Sequence, residues 1–327
     1  MANIFYDDSG DLSSLENLIL GLVGYGNQGR AHALNLRDSG FDVKIGTRTG
    51  SKACQQSVED GFERLEISEV AKRCDLIALM LPDEQMPSVY AEHIGPNLRP
   101  GSALVFAHGF VVHHKTICIA NEVDVILVAP TGPGRQLRSL YEAGEGLPAL
   151  VAVEQDYSGK AWQRCLAYAK AVGCTRAGAI KTTFAEETVT DLFCEQAVLC
   201  GGIPELIKAS FETLTSKGYQ SELAYISCLK EVKLIADLLF QQGIDGMRQA
   251  ISNTAKYGSA VAGPRIINDA TRKQLAGILD HIESGEFARE FERDTAAGAP
   301  AVAKLLDEEK QSSIAKVGRQ LSEHLRF

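Results

Sequence analysis

A glycine-rich turn set between a strand and a helix constrains this chain more than any other feature. Residues 18–23, Leu-Ile-Leu-Gly-Leu-Val, read as a buried strand, and Gly24-Tyr25-Gly26-Asn27-Gln28-Gly29 follow at once. A helical stretch runs from Arg30 to about Ser39, and a second strand is expected at Phe41–Gly46. In this order the first glycine permits a tight turn, the second lets the backbone approach a pyrophosphate, and the third lets helix and strand pack closely. The pyrophosphate would lie at the helix N-terminus, where N–H groups and the helix dipole favour an anion. A dinucleotide site formed by residues 24–29 is the expectation.

The end of the second strand bears on which dinucleotide is bound. An acid commonly stands there to hold the ribose hydroxyls of NAD. This chain reads Gly46-Thr47-Arg48-Thr49-Gly50-Ser51-Lys52, with none. Arg48 can stack over adenine or grip a 2′-phosphate, with Ser51 and Lys52 as further donors. A solvated turn is the plain alternative; beside the glycine loop, NADPH is the expected cofactor.

Apolar strands are predicted again at Leu76–Leu81, Ala103–Ala107 and Val123–Ala129. Each ends in loop residues: Pro82-Asp83-Glu84, His108-Gly109-Phe110, and Pro130-Thr131-Gly132-Pro133-Gly134. Doubly wound sheets bind ligands beyond the carboxyl ends of their strands. Pro82 and Asp83 are therefore expected to border the cofactor. His108 is placed to reach a substrate, although a lone histidine is as readily structural. Residues 1–182 read as an α/β Rossmann domain.

From about Thr183 the strand pattern stops, and residues 183–327 read as an all-α domain. Residues 222–241 repeat apolar positions at helical spacing, Leu223, Ile226, Leu229, Val232, Ile235 and Leu239, with Gly243 as a stop. Further helices are expected at 272–291 and 301–325. Earlier, Asp191 and Glu195 stand four apart on one predicted helical face, with Leu192, Phe193, Val198 and Leu199 expected to bury the rest. Two carboxylates in an apolar run suit a hard cation, so both are candidate Mg²⁺ ligands.

A net charge of -9 disfavours nucleic acid as a partner. No apolar stretch is long enough to cross a bilayer, and the N-terminus lacks a signal-peptide layout. Eight scattered cysteines without a C-x-x-C pair indicate reduced thiols, with Cys194 read as a packed helix residue. A cytoplasmic enzyme acting on a small molecule is the expectation.

The motifs GYGNQGRAHALNLRDSG, LPDEQ, FAHGF, the AP-x-GPG loop, ETVTDLFCEQAVLCGG, EVKLIADL and ISNTAKYG together resemble ketol-acid reductoisomerase in its short form, over roughly residues 18–320. The resemblance implies a Rossmann domain followed by a knotted helical domain, and a homodimer whose subunits share active sites. It implies Mg²⁺-driven alkyl migration in a 2-hydroxy-2-acyl acid, then reduction by NADPH. By position, Asp191 would bridge two metal ions and Glu195 would bind one. Glu231 would help from the helical domain, Ser252 would hold the substrate carboxylate, and His108 would line the pocket.

Three positions depart from the pattern. Thr131 stands where the family has lysine, Ser227 where it has glutamate, and Cys194 where it has glycine. The first change removes a positive charge and proton donors; the second removes an acid from the metal shell and weakens a second ion. The resulting expectation is a reductase that uses NADPH, with zero or one Mg²⁺, to deliver hydride to a C=O or C=N carbon of a small carboxylate-bearing substrate. An authentic reductoisomerase and a non-catalytic NADPH-binding protein remain the alternatives.

Overall fold

A computed structural model describes residues 2–324. The chain folds as two compact units, residues 1–188 and 189–327. The division falls inside the helix Phe184–Cys194, a few residues beyond the change of pattern at 182.

The first unit is built on a nine-stranded sheet. In chain order its strands are β1 (Ile4–Phe5), β2 (Leu20–Val23), β3 (Val43–Gly46), β4 (Glu63–Leu65), β5 (Leu76–Leu79), β6 (Ala103–Phe106), β7 (Asp124–Pro130), β8 (Ala149–Gln155) and β9 (Ala179–Lys181). Their order across the sheet is β1-β9-β8-β7-β6-β5-β2-β3-β4. From β7 to β4 every neighbour is parallel; β7 pairs antiparallel with β8, and β1 with β9. The chain runs from β2 outward to β3 and β4, then returns to β5 on the other side. The carboxyl end of β2 is therefore the switch point where an open α/β sheet binds its ligand.

Burial explains why the central strands were readable. Every residue of β2, β5 and β6 is buried, so each is a continuous apolar run, as strands covered on both faces must be. The helices Asn27–Asp38 and Ala161–Ala171 supply much of the core, through Leu34, Leu36, Leu166 and Tyr168. β1, β4, β8 and β9 were not anticipated. β4 is a three-residue edge strand of sequence Glu-Arg-Leu, and β9 is no longer, so neither has an apolar signature.

The second unit is helical. It holds the helices Gly202–Ser216, Ser221–Tyr225, Glu231–Ala250, Asn253–Ile266, Asp269–Glu283, Glu286–Ala296, Pro300–Gln311 and Ser313–His324. A small core gathers Phe211, Ala224, Val317 and Leu321. The expected helix 272–291 is two helices parted by Gly285 at φ 72°, and 301–325 is two parted at Ser312. Residue 325 of the latter lies outside the described residues. Gly243, expected to end its helix, takes φ 69° and kinks the span Glu231–Ala250.

The apolar positions of 222–241 are not buried as their spacing suggested. Leu223, Ile235 and Leu239 are exposed and Ile226, Leu229 and Val232 only half-buried; Glu231–Ala250 contains no buried residue, and its Phe240 is 89% exposed. Amphipathic spacing shows that a face is apolar, not that this chain covers it.

Candidate active site

The glycine loop has the geometry its sequence required. Gly24 takes φ +93°, and a side chain there would meet the Met80 carbonyl at 2.5 Å. A Cβ at Gly29 would lie 2.2 Å from the Gly24 carbonyl, so helix and turn touch backbone to backbone. A Cβ at Gly26 would meet nothing within 4 Å, and Gly26 caps the helix Asn27–Asp38 without a side-chain hydrogen bond. Open space above an uncapped helix N-terminus fits a pyrophosphate.

Of the other residues of the motif, Tyr25 and Gln28 turn inward and Asn27 is exposed. Tyr25 is buried, and its hydroxyl donates to Asp60 Oδ2 at 2.8 Å. Arg30 grips the same carboxylate through Nε and Nη2 at 2.6 and 2.9 Å. The Arg30 guanidinium and then Tyr25 hold the Asp60 carboxyl down at about 2. Gln28 Nε2 donates to the Gly132 carbonyl at 2.9 Å, and Gly134 lies so close to Asn27 that a Cβ would stand 2.2 Å from its carbonyl oxygen. The glycine loop is thereby fastened to the loop 130–134. Tyr25 and Gln28 thus tie the glycine loop to its surroundings through their side chains.

In the loop after β3, Arg48 and Lys52 are exposed. Ser51 caps the helix Lys52–Glu59: its Oγ accepts from the Cys54 N–H at 3.1 Å and donates to the Arg48 carbonyl at 2.8 Å. Pro82 is exposed and Asp83 half-buried just beyond β5.

His108 lies two residues past β6, where its Nδ1 meets Glu187 Oε1 at 3.0 Å. The other oxygen of Glu187 accepts from the Gly109 N–H at 2.7 Å. Glu187 is 3% exposed, a buried carboxylate whose two oxygens are both used. A carboxylate accepts, so Nδ1 is the nitrogen that carries a proton toward Glu187. Sequence reasoning missed Glu187. Its signal was available, since Glu187 precedes Asp191 by four residues on the helix Phe184–Cys194.

Thr131 is exposed, and its backbone N–H and hydroxyl both donate to the Pro148 carbonyl at 2.9 Å. The hydroxyl proton is spent on backbone, so the side chain offers lone pairs, no proton and no charge.

The remaining site residues lie in the second unit. Asp191 and Glu195 are exposed, and the α-helix gives way to a π-helical turn at Glu195–Leu199. Of the four apolar residues expected to bury this segment, Leu192 is buried and Phe193 half-buried, whereas Val198 and Leu199 are 46% and 57% exposed, so the enclosure is one-sided. Cys194 is likewise exposed rather than packed. Ser227 sits in a second π-helical turn, Ile226–Lys230, and Glu231 begins the helix after it. Single-turn π segments inside helices recur at functional sites. Ser252 caps the helix Asn253–Ile266, accepting from the Ala255 N–H at 3.2 Å.

A Rossmann sheet with an open glycine loop at its switch point, and a carboxylate-held histidine at the next strand end but one, defines a dinucleotide-dependent oxidoreductase. Comparison with known proteins narrows the class. Residues 14–178 match the family model "Acetohydroxy acid isomeroreductase, NADPH-binding domain", and residues 184–327 match "Ketol-acid reductoisomerase, C-terminal domain". The chain belongs to the ketol-acid reductoisomerase family.

Among solved structures, an NADH-preferring ketol-acid reductoisomerase from an uncultured archean is 40% identical, with a TM-score of 0.95 over 99% of this chain and 100% of that one. A semialdehyde dehydrogenase NAD-binding protein from Cupriavidus necator is 18% identical, with a TM-score of 0.65 over 84% of this chain and 99% of the other. A 1-pyrroline-5-carboxylate reductase from Streptococcus pyogenes is 12% identical, with a TM-score of 0.52 over 82% and 98%. The last two share the fold alone. Among the described residues no helix is long and apolar enough to cross a membrane.

Proposed function

We propose that this chain is an NADPH-using reductase of the family in which the alkyl-migration step has been lost or strongly weakened. The observation that carries the reading is Thr131, whose hydroxyl proton is given to the Pro148 carbonyl. A lysine at this position would bring a positive charge and three donors to substrate oxygens. Thr131 brings neither. Ser227, in place of an acid, removes a metal ligand from the helical unit.

The reduction keeps what it needs. The backbone of Gly24–Gly29 and the N-terminus of Asn27–Asp38 hold the pyrophosphate, and Arg48, Ser51 and Lys52 receive the adenosine end, with Pro82 and Asp83 bordering the cofactor. His108, oriented by Glu187, exchanges a proton with the substrate oxygen or nitrogen as the carbon takes hydride. Ser252 receives the substrate carboxylate. By the family resemblance, Asp191 and Glu195, with Glu231, would offer an all-oxygen donor set that suits one Mg²⁺. When bound, NADPH supplies the hydride and Mg²⁺ polarises the substrate oxygen.

A homodimer with shared active sites is part of this reading, supported by the uncovered apolar residues of Glu231–Ala250, Phe240 among them. The substrate is a small carboxylate-bearing carbonyl or imine. The test is a gain of function: Thr131→Lys with Ser227→Glu should create or strongly raise Mg²⁺-dependent turnover of acetolactate. Fast acetolactate turnover by the wild-type chain, unimproved by the double change, would refute the proposal in favour of an ordinary reductoisomerase.

A further inference from the structure

The loop after β3 is tied to the edge strand β4 by a network that the reading above does not use. Parallel pairing places Leu65 opposite Gly46, so Glu66 leaves the sheet beside Thr47. Arg64, half-buried, donates from Nη1 to Glu66 Oε1 at 2.6 Å. Its Nη2 donates to the Thr47 carbonyl at 2.5 Å and to Thr49 Oγ1 at 2.7 Å. Thr49 Oγ1 donates in turn to Glu66 Oε1 at 2.7 Å.

Counting protons shows what this loop presents to a ligand. A hydroxyl has one proton and two lone pairs. Thr49 gives its proton to Glu66 and spends one lone pair on Arg64. Ser51 gives its proton to the Arg48 carbonyl and spends a lone pair on the Cys54 N–H. Each hydroxyl is left with an acceptor. A ribose 2′-hydroxyl can donate to an acceptor, whereas a phosphate dianion can only accept. The donors in the loop that suit a phosphate are the side chains of Arg48 and Lys52. Against them stands the Glu66 carboxylate, 57% exposed, which the Thr49 hydroxyl and then Arg64 hold below the usual carboxylate range.

We propose that Glu66, locked by Arg64 against Thr49, is a cofactor-discriminating residue that offsets Arg48 and Lys52 and lets the chain bind NADH as well as NADPH. Arg64 is its positioning residue. The inference rests on the loop 46–52 receiving the 2′ end of the cofactor.

Fluorescence titration of the full-length chain with NADPH and with NADH tests it without a substrate. The wild type should bind both. Glu66→Gln removes the opposing charge and releases Arg64 Nη1 from a carboxylate. It should tighten NADPH relative to NADH by about two- to fivefold, the range expected for one exposed charge pair. Thr49→Val, which removes the acceptor, should move the ratio the same way by weakening NADH, and serves if Glu66→Gln folds poorly.

Arg48→Ala separates the two levels of the argument. If it selectively weakens NADPH while Glu66→Gln and Thr49→Val leave the ratio unchanged, the inference falls and the loop assignment stands. If none of the three moves the ratio, the loop does not receive the 2′ end and both fall. A wild type that binds NADPH alone also overturns the inference.

Discussion

Glu187 Oε1 stands 3.0 Å from His108 Nδ1, while Glu187 Oε2 accepts from the Gly109 N–H at 2.7 Å. One buried carboxylate thus fixes both the imidazole and the backbone that carries it. Glu187→Gln keeps the shape but has a single acceptor oxygen for two donors. One donor is left facing an NH₂ group, which should cost about 1–3 kcal/mol of stability. Misorientation of His108 should lower kcat by about 10- to 100-fold, as loss of an orienting carboxylate commonly does. NADPH affinity, measured in the same preparation, should not change. An unaltered kcat would show that His108 needs no orientation or takes no part.

Two groups give acid sensitivity in separate windows. Burial pushes the imidazole of His32 down to about 4 from 6.5, so it stays neutral in the folded chain. Its folded value is depressed, so the associated stability is present above pH 6.5 and is lost as pH falls toward 4. Asp60, held at about 2 against 3.8, keeps its contribution above pH 3.8 and loses it only as pH falls toward 2. Urea unfolding in a pH series should show an upper step of about 3 kcal/mol that His32→Gln abolishes. Persistence of that step in the variant would contradict the assignment.

Asp124 is fully buried and accepts from Arg164 Nη1 at 2.7 Å, Ser158 Oγ at 2.6 Å and the Ser158 N–H at 2.9 Å. Arg164→Met strands the carboxylate in the core and should destabilise the chain by about 3–5 kcal/mol, read as a fall in the urea midpoint. The double change with Asp124→Leu should recover much of that loss. No recovery would mean that Arg164 acts through packing instead.

Gly26 and Gly24 should respond in opposite ways to alanine. Open space at Gly26 means that Gly26→Ala leaves melting nearly unchanged while weakening NADPH by at least about tenfold, a loss of about 1.4 kcal/mol. Gly24→Ala forces a side chain at φ +93° against the Met80 carbonyl and should lower stability first. Equal nucleotide affinity in Gly26→Ala would remove this loop from the cofactor site.

The legible parts of the molecule were those where local chemistry and global position agree. β2, β5 and β6 announced themselves because both faces are covered, and the glycine loop because its backbone cannot carry side chains. β4 was invisible: three residues at a sheet edge with one half-buried arginine leave no pattern, yet Arg64 and Glu66 reach the loop after β3 from there. Glu187 carried a weak signal, its place four residues before Asp191, that an acid in the first turn of a helix shares with any acid drawn there by the dipole. Only the tertiary fold brings it to His108. In the helical unit the spacing of Leu223, Ile235 and Leu239 identified helices correctly but not burial, since an apolar face awaiting another surface has the same period as one already packed.

NADPH oxidation with two substrates in parallel, with Mg²⁺ and with EDTA, tests the central claim most directly. Acetolactate requires migration before reduction; 3-hydroxy-3-methyl-2-oxobutanoate requires reduction only. Turnover of the second with little or none of the first is the result expected from Thr131 bound to Pro148 and from Ser227 in place of an acid. Comparable Mg²⁺-dependent turnover of both would contradict it and show a complete reductoisomerase that works without that lysine and that glutamate.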